Sequence, residues 1–295
     1  MTTRPIITAF ACLLCLHASL FSQDDPDALL DQMLSESTTY AFATFKASRI
    51  INGHSIEQTA KKELEFRISH RFGRIDQGAY ELWGLDQANI HFSLEYGVLD
   101  QLTVGLGRSN YLKTYDGFLK YKIIRQSKGE KNFPVTVSYF ASSEYVDLRN
   151  EIPGFNAEHR FSYVHQLLIA RKFNKRLSLQ LTPTFIHKNL VDRATEKNDI
   201  WSMGFGGRFK ITNRLSFNGE VFFLDPGETP GGTPYQLPLS FGFDLETGGH
   251  VFQIMLTNSQ AMREVGFITE TTGAWEKGEL HLGFNISRMF DLSRE

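Results

Sequence analysis

The chain has 295 residues, 41% of them hydrophobic and 22% charged, with a formal net charge of -2 and 25 Phe, 10 Tyr and 3 Trp. That aromatic content excludes a disordered polypeptide, and the near-neutral charge excludes the basic surface on which nucleic-acid affinity rests. A helical membrane protein needs runs of about 20 apolar residues, and the one candidate run lies at the extreme N-terminus.

That run is Ile6 to Phe21, behind Arg4 and ahead of Ser22, Gln23, Asp24 and Asp25. A positive start, a short apolar stretch and a small residue before a polar junction describe a secretory signal peptide over residues 1–22, cut between Ser22 and Gln23. Both cysteines, Cys12 and Cys15, fall inside it, so the mature chain is expected to hold no disulfide, thiolate metal site or cysteine nucleophile. Cys15 follows Leu14 and Cys12 comes early in the run, which disfavours lipidation. Residues 23–60 then read as a periplasmic leader and plug segment. Leu29, Leu30, Met33 and Leu34 recur at helical spacing, and Tyr40 to Asn52 reads as a strand.

From about Lys61 the hydrophobic period becomes two. Leu64, Phe66, Ile68 and Phe72 stand opposite Glu63, Glu65, Arg67, Ser69 and Arg71. Ile90, Phe92, Leu94 and Tyr96 stand opposite Asn89, His91, Ser93 and Glu95. The same alternation returns through Leu102–Leu106, Leu177–Leu181, Trp201–Phe209, Leu239–Leu245 and Leu280–Ile286. It places one face of each strand in an apolar medium and the other among polar groups. A soluble sandwich alternates as well. Strand length suited to a tilted bilayer crossing, a charged and glycine-containing polar face and an export signal favour a closed membrane barrel, which leaves no strand edge unpaired.

Connections alternate between long ones (73–87, 145–157, 189–198, 225–237 and 259–277, with a shorter one near 110–114) and tight turns at Leu99–Asp100, Ser127–Asn132, Asn174–Lys175, Thr212–Asn213 and Gly248–Gly249. Counting from Glu63 gives twelve strands. The expected fold is therefore all-β, a transmembrane antiparallel up-and-down barrel of twelve strands over residues 61–295. A thirteenth strand at Tyr40–Asn52 would make the number odd, contrary to bacterial habit, so Tyr40–Gln58 is expected in the lumen or at the periplasmic mouth.

The runs NGHSIE (52–57), ELEFRISHRFG (63–73), GLDQANIHFSLEYG (84–97), DQLTVGLGRSNYLKTYDGFLKYK (100–122), GGHVFQIMLTNSQ (248–260) and GFNISRMF (283–290) resemble an uncharacterised family of outer-membrane β-barrel proteins from Bacteroidetes-type bacteria that carry a domain of unknown function. The resemblance spans nearly the whole mature chain. It implies a barrel in the outer membrane and brings no catalytic or binding residues.

Several constellations invite a chemical reading. His54 follows an Asn-Gly turn in the plug segment, so Asn52, Gly53 and His54 are candidates for a periplasmic contact, and an ordinary polar turn is the blander alternative. His91 and His281 take the lumen-facing parity, but spacing alone does not converge a metal site. His250, Asn258 and Ser259 are hydrolase-type residues, yet His250 and Ser259 are separated by roughly 30 Å of strand at about 3.3 Å per residue, and no nucleophile elbow is present. No catalytic residue, metal ligand or cofactor is expected.

The lumen collects charges of both signs, which either pair and stiffen the wall or line a narrow polar path. Within it Arg67, Arg71, Arg108, Lys120 and Lys122 are expected to form a basic ladder on neighbouring early strands, suited to small anions. The leading expectation is an outer-membrane channel or transport accessory for small polar solutes, in contact with lipid and without nucleic acid. The alternative is a non-conducting barrel that anchors or docks a periplasmic protein, a redox protein among the candidates.

Overall fold

The computed structural model describes residues 37–147, 156–191, 196–224 and 235–293. The expected signal peptide, Ser22, Gln23 and most of the leader lie outside the described residues. Twelve antiparallel strands close on themselves. They are β1 (Glu63–Arg74), β2 (Ala88–Leu99), β3 (Leu102–Ser109), β4 (Thr114–Ile124), β5 (Thr136–Val146), β6 (Phe161–Lys172), β7 (Leu177–Lys188), β8 (Asp199–Lys210), β9 (Leu215–Leu224), β10 (Leu239–Thr247), β11 (His250–Thr257) and β12 (His281–Asp291). Each pairs with its sequence neighbour, and β12 returns to β1 with Ile286 opposite Ile68 and Phe290 opposite Leu64. An even number brings both ends of the wall to the end that carries the tight turns, as expected from the alternating connections.

Alternation decides which side chains meet which medium. Leu106, Trp201 and Ile254 are 70, 72 and 62% exposed on the outer face. These belong to an apolar band that has no soluble counterpart of this extent. Facing the other way, Arg67, Glu95, Lys120, Thr103 and Asn285 are buried. The strands of 8 to 12 residues match the roughly 9–11 needed to cross hydrocarbon at a tilt.

The lumen is filled from both ends. From the turn end, residues 41–62 enter and leave as an antiparallel hairpin, closed by Ile50 N–H to the Gly53 carbonyl (2.8 Å) and Ser55 N–H to the Ser48 carbonyl (2.9 Å). Ala43 (φ 51°) and Lys62 (φ 65°) take the left-handed conformation where the chain bends in and where it joins β1. Two wall glycines make room for this hairpin. A Cβ on Gly206 would stand 2.3 Å from Ile50, and one on Gly97 would stand 1.9 Å from the Ala60 carbonyl.

From the loop end, the connection 258–280 dips inward and carries a short helix, α1 (Glu264–Thr269), every residue of which is buried. Sequence periodicity had no strand to offer here, and the segment reads as an outer loop until its apolar residues find a surface. That surface is luminal. Val164, Ile186, Ile200 and Phe222 face inward and pack on Val265, Phe267 and Ile268. A second inward patch, Phe118, Phe140, Leu168, Ala170 and Met255, receives Phe45, Ile50, Ile51 and Ile56 of the hairpin. Full burial of such side chains is worth roughly 1.5–3 kcal/mol each, so the hairpin is a packed part of the fold.

Candidate functional site

The hairpin tip is the most heavily bonded point of the lumen. Three successive backbone N–H groups, of Ile51, Asn52 and Gly53, donate to the Glu220 carboxylate of β9 at 3.3, 2.7 and 3.1 Å. The Asn-Gly pair allows this tight turn, and consecutive N–H groups on one side of a turn form a concave anion site, here occupied by a side chain of the wall. Around it, Arg71 of β1 donates to Asn52 Oδ1 (2.8 Å), and Asn52 Nδ2 donates to Ser240 Oγ of β10 (3.0 Å). Gln253 of β11 donates to the Ile50 carbonyl (3.1 Å) and Asn285 of β12 to the Ile51 carbonyl (3.1 Å). Five consecutive wall strands thus hold the tip.

These contacts correct one expectation. Asn52, Gly53 and His54 do not form a periplasmic contact, because the turn is sealed inside the barrel, with Asn52 and His54 buried. His54 lies between Phe118 and Phe140, with ring centroids 4.7 and 4.3 Å away. Neither ring nitrogen has a hydrogen-bond partner among the described residues. Burial first, then the cations Arg49 and Lys120, hold the imidazole well below its ordinary value of 6.5, so it sits there uncharged.

The two inserts meet at a buried ion pair. Arg49 of the hairpin donates through Nη1 to Glu264 of α1 at 2.7 Å, and to the Asn52 carbonyl at 2.7 Å. His54 Nε2 lies 3.8 Å from the same carboxylate. At the same N-terminal end of α1, Arg263 pairs with Glu144 of β5, whose second oxygen accepts the Val265 N–H at 3.1 Å. A chain of charges therefore links the hairpin, the loop-end insert and the wall.

Of the five residues of the expected basic ladder, the structure buries three in the lumen, leaves one at the rim and turns one outward. Arg67, Arg71 and Lys120 face the lumen and are buried, each engaged with the hairpin. Arg67 pairs with Glu65 and donates to Ser48 Oγ at 2.5 Å, Arg71 reaches Asn52, and Lys120 donates to the Ser55 carbonyl at 3.3 Å and to that of Glu57. Lys122 follows Lys120 at the turn-end rim and is only half-buried. Arg108 does not belong to the ladder. It shares parity with Leu102, Val104 and Leu106, points outward, and lies over the Tyr115 ring at 5.3 Å. Its own neighbours give the signal, since a period of two counted from Leu106 puts position 108 on the lipid side.

His91 finds Asp116 at 2.7 Å, and His281 Nδ1 finds the Phe72 carbonyl at 2.8 Å. His250 opens β11 and Asn258 and Ser259 follow its other end, so these residue types are not brought together. Among the described residues no group of three or more His, Cys, Asp or Glu could hold a metal ion.

Some luminal groups are left over. Both Glu95 oxygens, Arg67 Nε and Nη1, and the hydroxyls of Ser93 and Ser138 are buried without a hydrogen-bond partner among the described residues. All lie on β1, β2 and β5. Buried polar atoms in such a state bind ordered water.

A closed twelve-stranded wall with an apolar exterior, a charged interior and an inserted segment at each end defines a plugged membrane β-barrel. The chain belongs to the family described as membrane bound beta barrel domain (DUF5777), whose model matches residues 45–290; the match starts inside the hairpin. No curated protein matches the chain. Among solved structures, it is similar to the KdgM porin (8% identity, TM-score 0.45, covering 77% of this chain and 99% of that one). It is also similar to the COG4313 outer membrane channel from Pseudomonas putida F1 (13%, 0.47, 79% and 97%) and to the outer membrane protein Omp33 of Acinetobacter baumannii (8%, 0.41, 79% and 100%). Nothing about solute or activity passes from these likenesses to this chain.

Proposed function

We propose that the protein is an outer-membrane conduit for small polar solutes, closed at rest by its own hairpin and loop-end insert. The carrying observation is that the hairpin leaves part of the luminal polar surface unsatisfied. Around Arg67, Glu95 and Ser138, single guanidinium, carboxylate and hydroxyl atoms stay buried without a hydrogen-bond partner among the described residues. A barrel filled only for rigidity gains nothing from such groups, whereas a hydrated seam beside a removable plug requires them.

Planar-bilayer recording on folded protein tests the reading. The intact chain is expected to give little steady current, and deletion of residues 41–60 a steady one. Lys120→Gln in that background should shift the reversal potential toward cations and Arg108→Gln should leave it unchanged. Absence of current from the folded deletion variant would overturn the conduit.

A second reading, docking of a periplasmic protein, is favoured by one feature of the turn end. Phe42 is 78% and Tyr40 47% exposed, and Thr39–Tyr40 pairs with Ser127–Lys128 as a two-residue ladder beside them. A partner that copurifies with the intact chain and is lost on Phe42→Ser would support it.

A further inference from the structure

Above the loop-end insert lies a cavity of about 180 Å³ that opens outward. Its floor is built rather than accidental. Asn258 Nδ2 donates to the Leu237 and Gly273 carbonyls, both at 2.8 Å, and its Oδ1 accepts the Leu239 N–H at 2.9 Å. A Cβ on Gly273 would lie 2.4 Å from the Glu279 carbonyl, so the floor segment sits against its neighbour as only glycine permits.

The ionisable groups that line the cavity already have partners. Arg74 is held by Asp76 at 2.5 Å and by Glu279 at 2.9 Å, Glu270 lies 3.4 Å from Lys188, and His281 bonds the Phe72 carbonyl. Left facing the space are the amides of Gln77, Gln87 and Gln260 and the hydroxyls of Tyr111 and Thr272. The Gln77 and Gln87 side-chain oxygens converge on Gly73, where a Cβ would stand 3.1 and 3.0 Å from them. Amides and hydroxyls both donate and accept, which matches a ligand whose surface is hydroxyl groups. A charged ligand would lose its hydration and meet no unpaired counter-charge.

We propose that this cavity is a binding site for an uncharged, polyhydroxylated solute of about monosaccharide size. The proposal deepens the conduit reading and rests on it for the direction in which such a solute would travel.

Saturation-transfer NMR on the full chain in detergent tests binding without flux, with glucose as the probe and glucuronate and glucosamine as charged comparators. Saturable transfer to glucose is expected, with at least tenfold weaker response from both charged sugars. Gln87→Leu, in an exposed loop remote from the packed lumen, should weaken glucose at least tenfold, and Gln260→Leu should do the same from the floor side. No saturable transfer to glucose, equal response from the charged sugars, or binding unchanged in both variants would overturn the site. Binding to the full chain, with no bilayer current from the folded variant lacking residues 41–60, would instead overturn the conduit and leave the site standing. Current without binding would do the reverse.

Discussion

Replacing Glu220 by Gln should loosen the hairpin tip without changing its shape. The carboxylate accepts three backbone N–H bonds with two oxygens. The amide keeps one oxygen and turns its NH2 toward N–H groups that need an acceptor. Hydrogen bonds to a charged group contribute roughly 1.5–3 kcal/mol each, and neighbouring bonds are not additive. Loss of one to two of them is worth about 2–4 kcal/mol. At about 1.4 kcal/mol per tenfold, the displaced hairpin becomes roughly 30- to 700-fold more populated.

Ile51→Cys reports this population, because Ile51 is 2% exposed when seated and both native cysteines lie in residues 1–22. Modification by a small charged thiol reagent in intact membranes should accelerate by that factor on adding Glu220→Gln. Rates equal within threefold would refute the idea that the wall carboxylate holds the tip.

Two further outcomes follow from the same geometry. Arg49→Ala or Glu264→Ala should each destabilise the barrel by about 3–5 kcal/mol in urea unfolding, because each leaves a buried charge uncompensated, while Arg49→Met with Glu264→Met should recover most of the loss; equal loss in the double variant would refute the coupling. Because seated His54 is held neutral and a displaced one titrates near 6.5, the displaced state binds the extra proton, and seating weakens as pH falls below about 6.5 toward the seated value. Ile51→Cys reactivity should therefore rise on acidification and lose that rise in His54→Phe, and a pH profile unchanged by this substitution would contradict the assignment.

Much of the wall is legible in the sequence because its two media differ so strongly. Leu64 to Phe72 and Trp201 to Phe209 leave no choice of face. Alternation fails where the lumen is itself apolar. In β6, Val164, Leu168 and Ala170 point inward beside outward Leu167 and Ile169, so the strand is apolar on both faces and its inner surface cannot be recognised as a seat for the hairpin. Residues 258–280 fail for a related reason. Met262, Val265, Phe267 and Ile268 form a helical apolar face, and a connection of that length is usually functional or disordered. Its destination is set by Phe222 and Ile186 on remote strands. Arg108 is different in kind, since the parity of Leu102, Val104 and Leu106 already places it outside. That the hairpin stands apart from the wall, in the lumen or at its mouth, is legible from the number of strands, but Glu220, the residue that grips it, is one polar position among many until the turn comes within reach.

The hairpin enters and leaves through the same end, and only its second arm continues into the wall, as β1. Thermal escape has to break the tip contacts together. A pull on the first arm meets contacts one at a time, beginning with Thr39–Tyr40 at Ser127–Lys128 and Ala41 at Gln126 and Arg125, then Phe42 at Lys172, Ala43 and Thr44 at Arg208, and Ser48 at Arg67, before reaching Glu220. Contacts that act together against thermal escape are thus arranged in series against tension on the N-terminal arm.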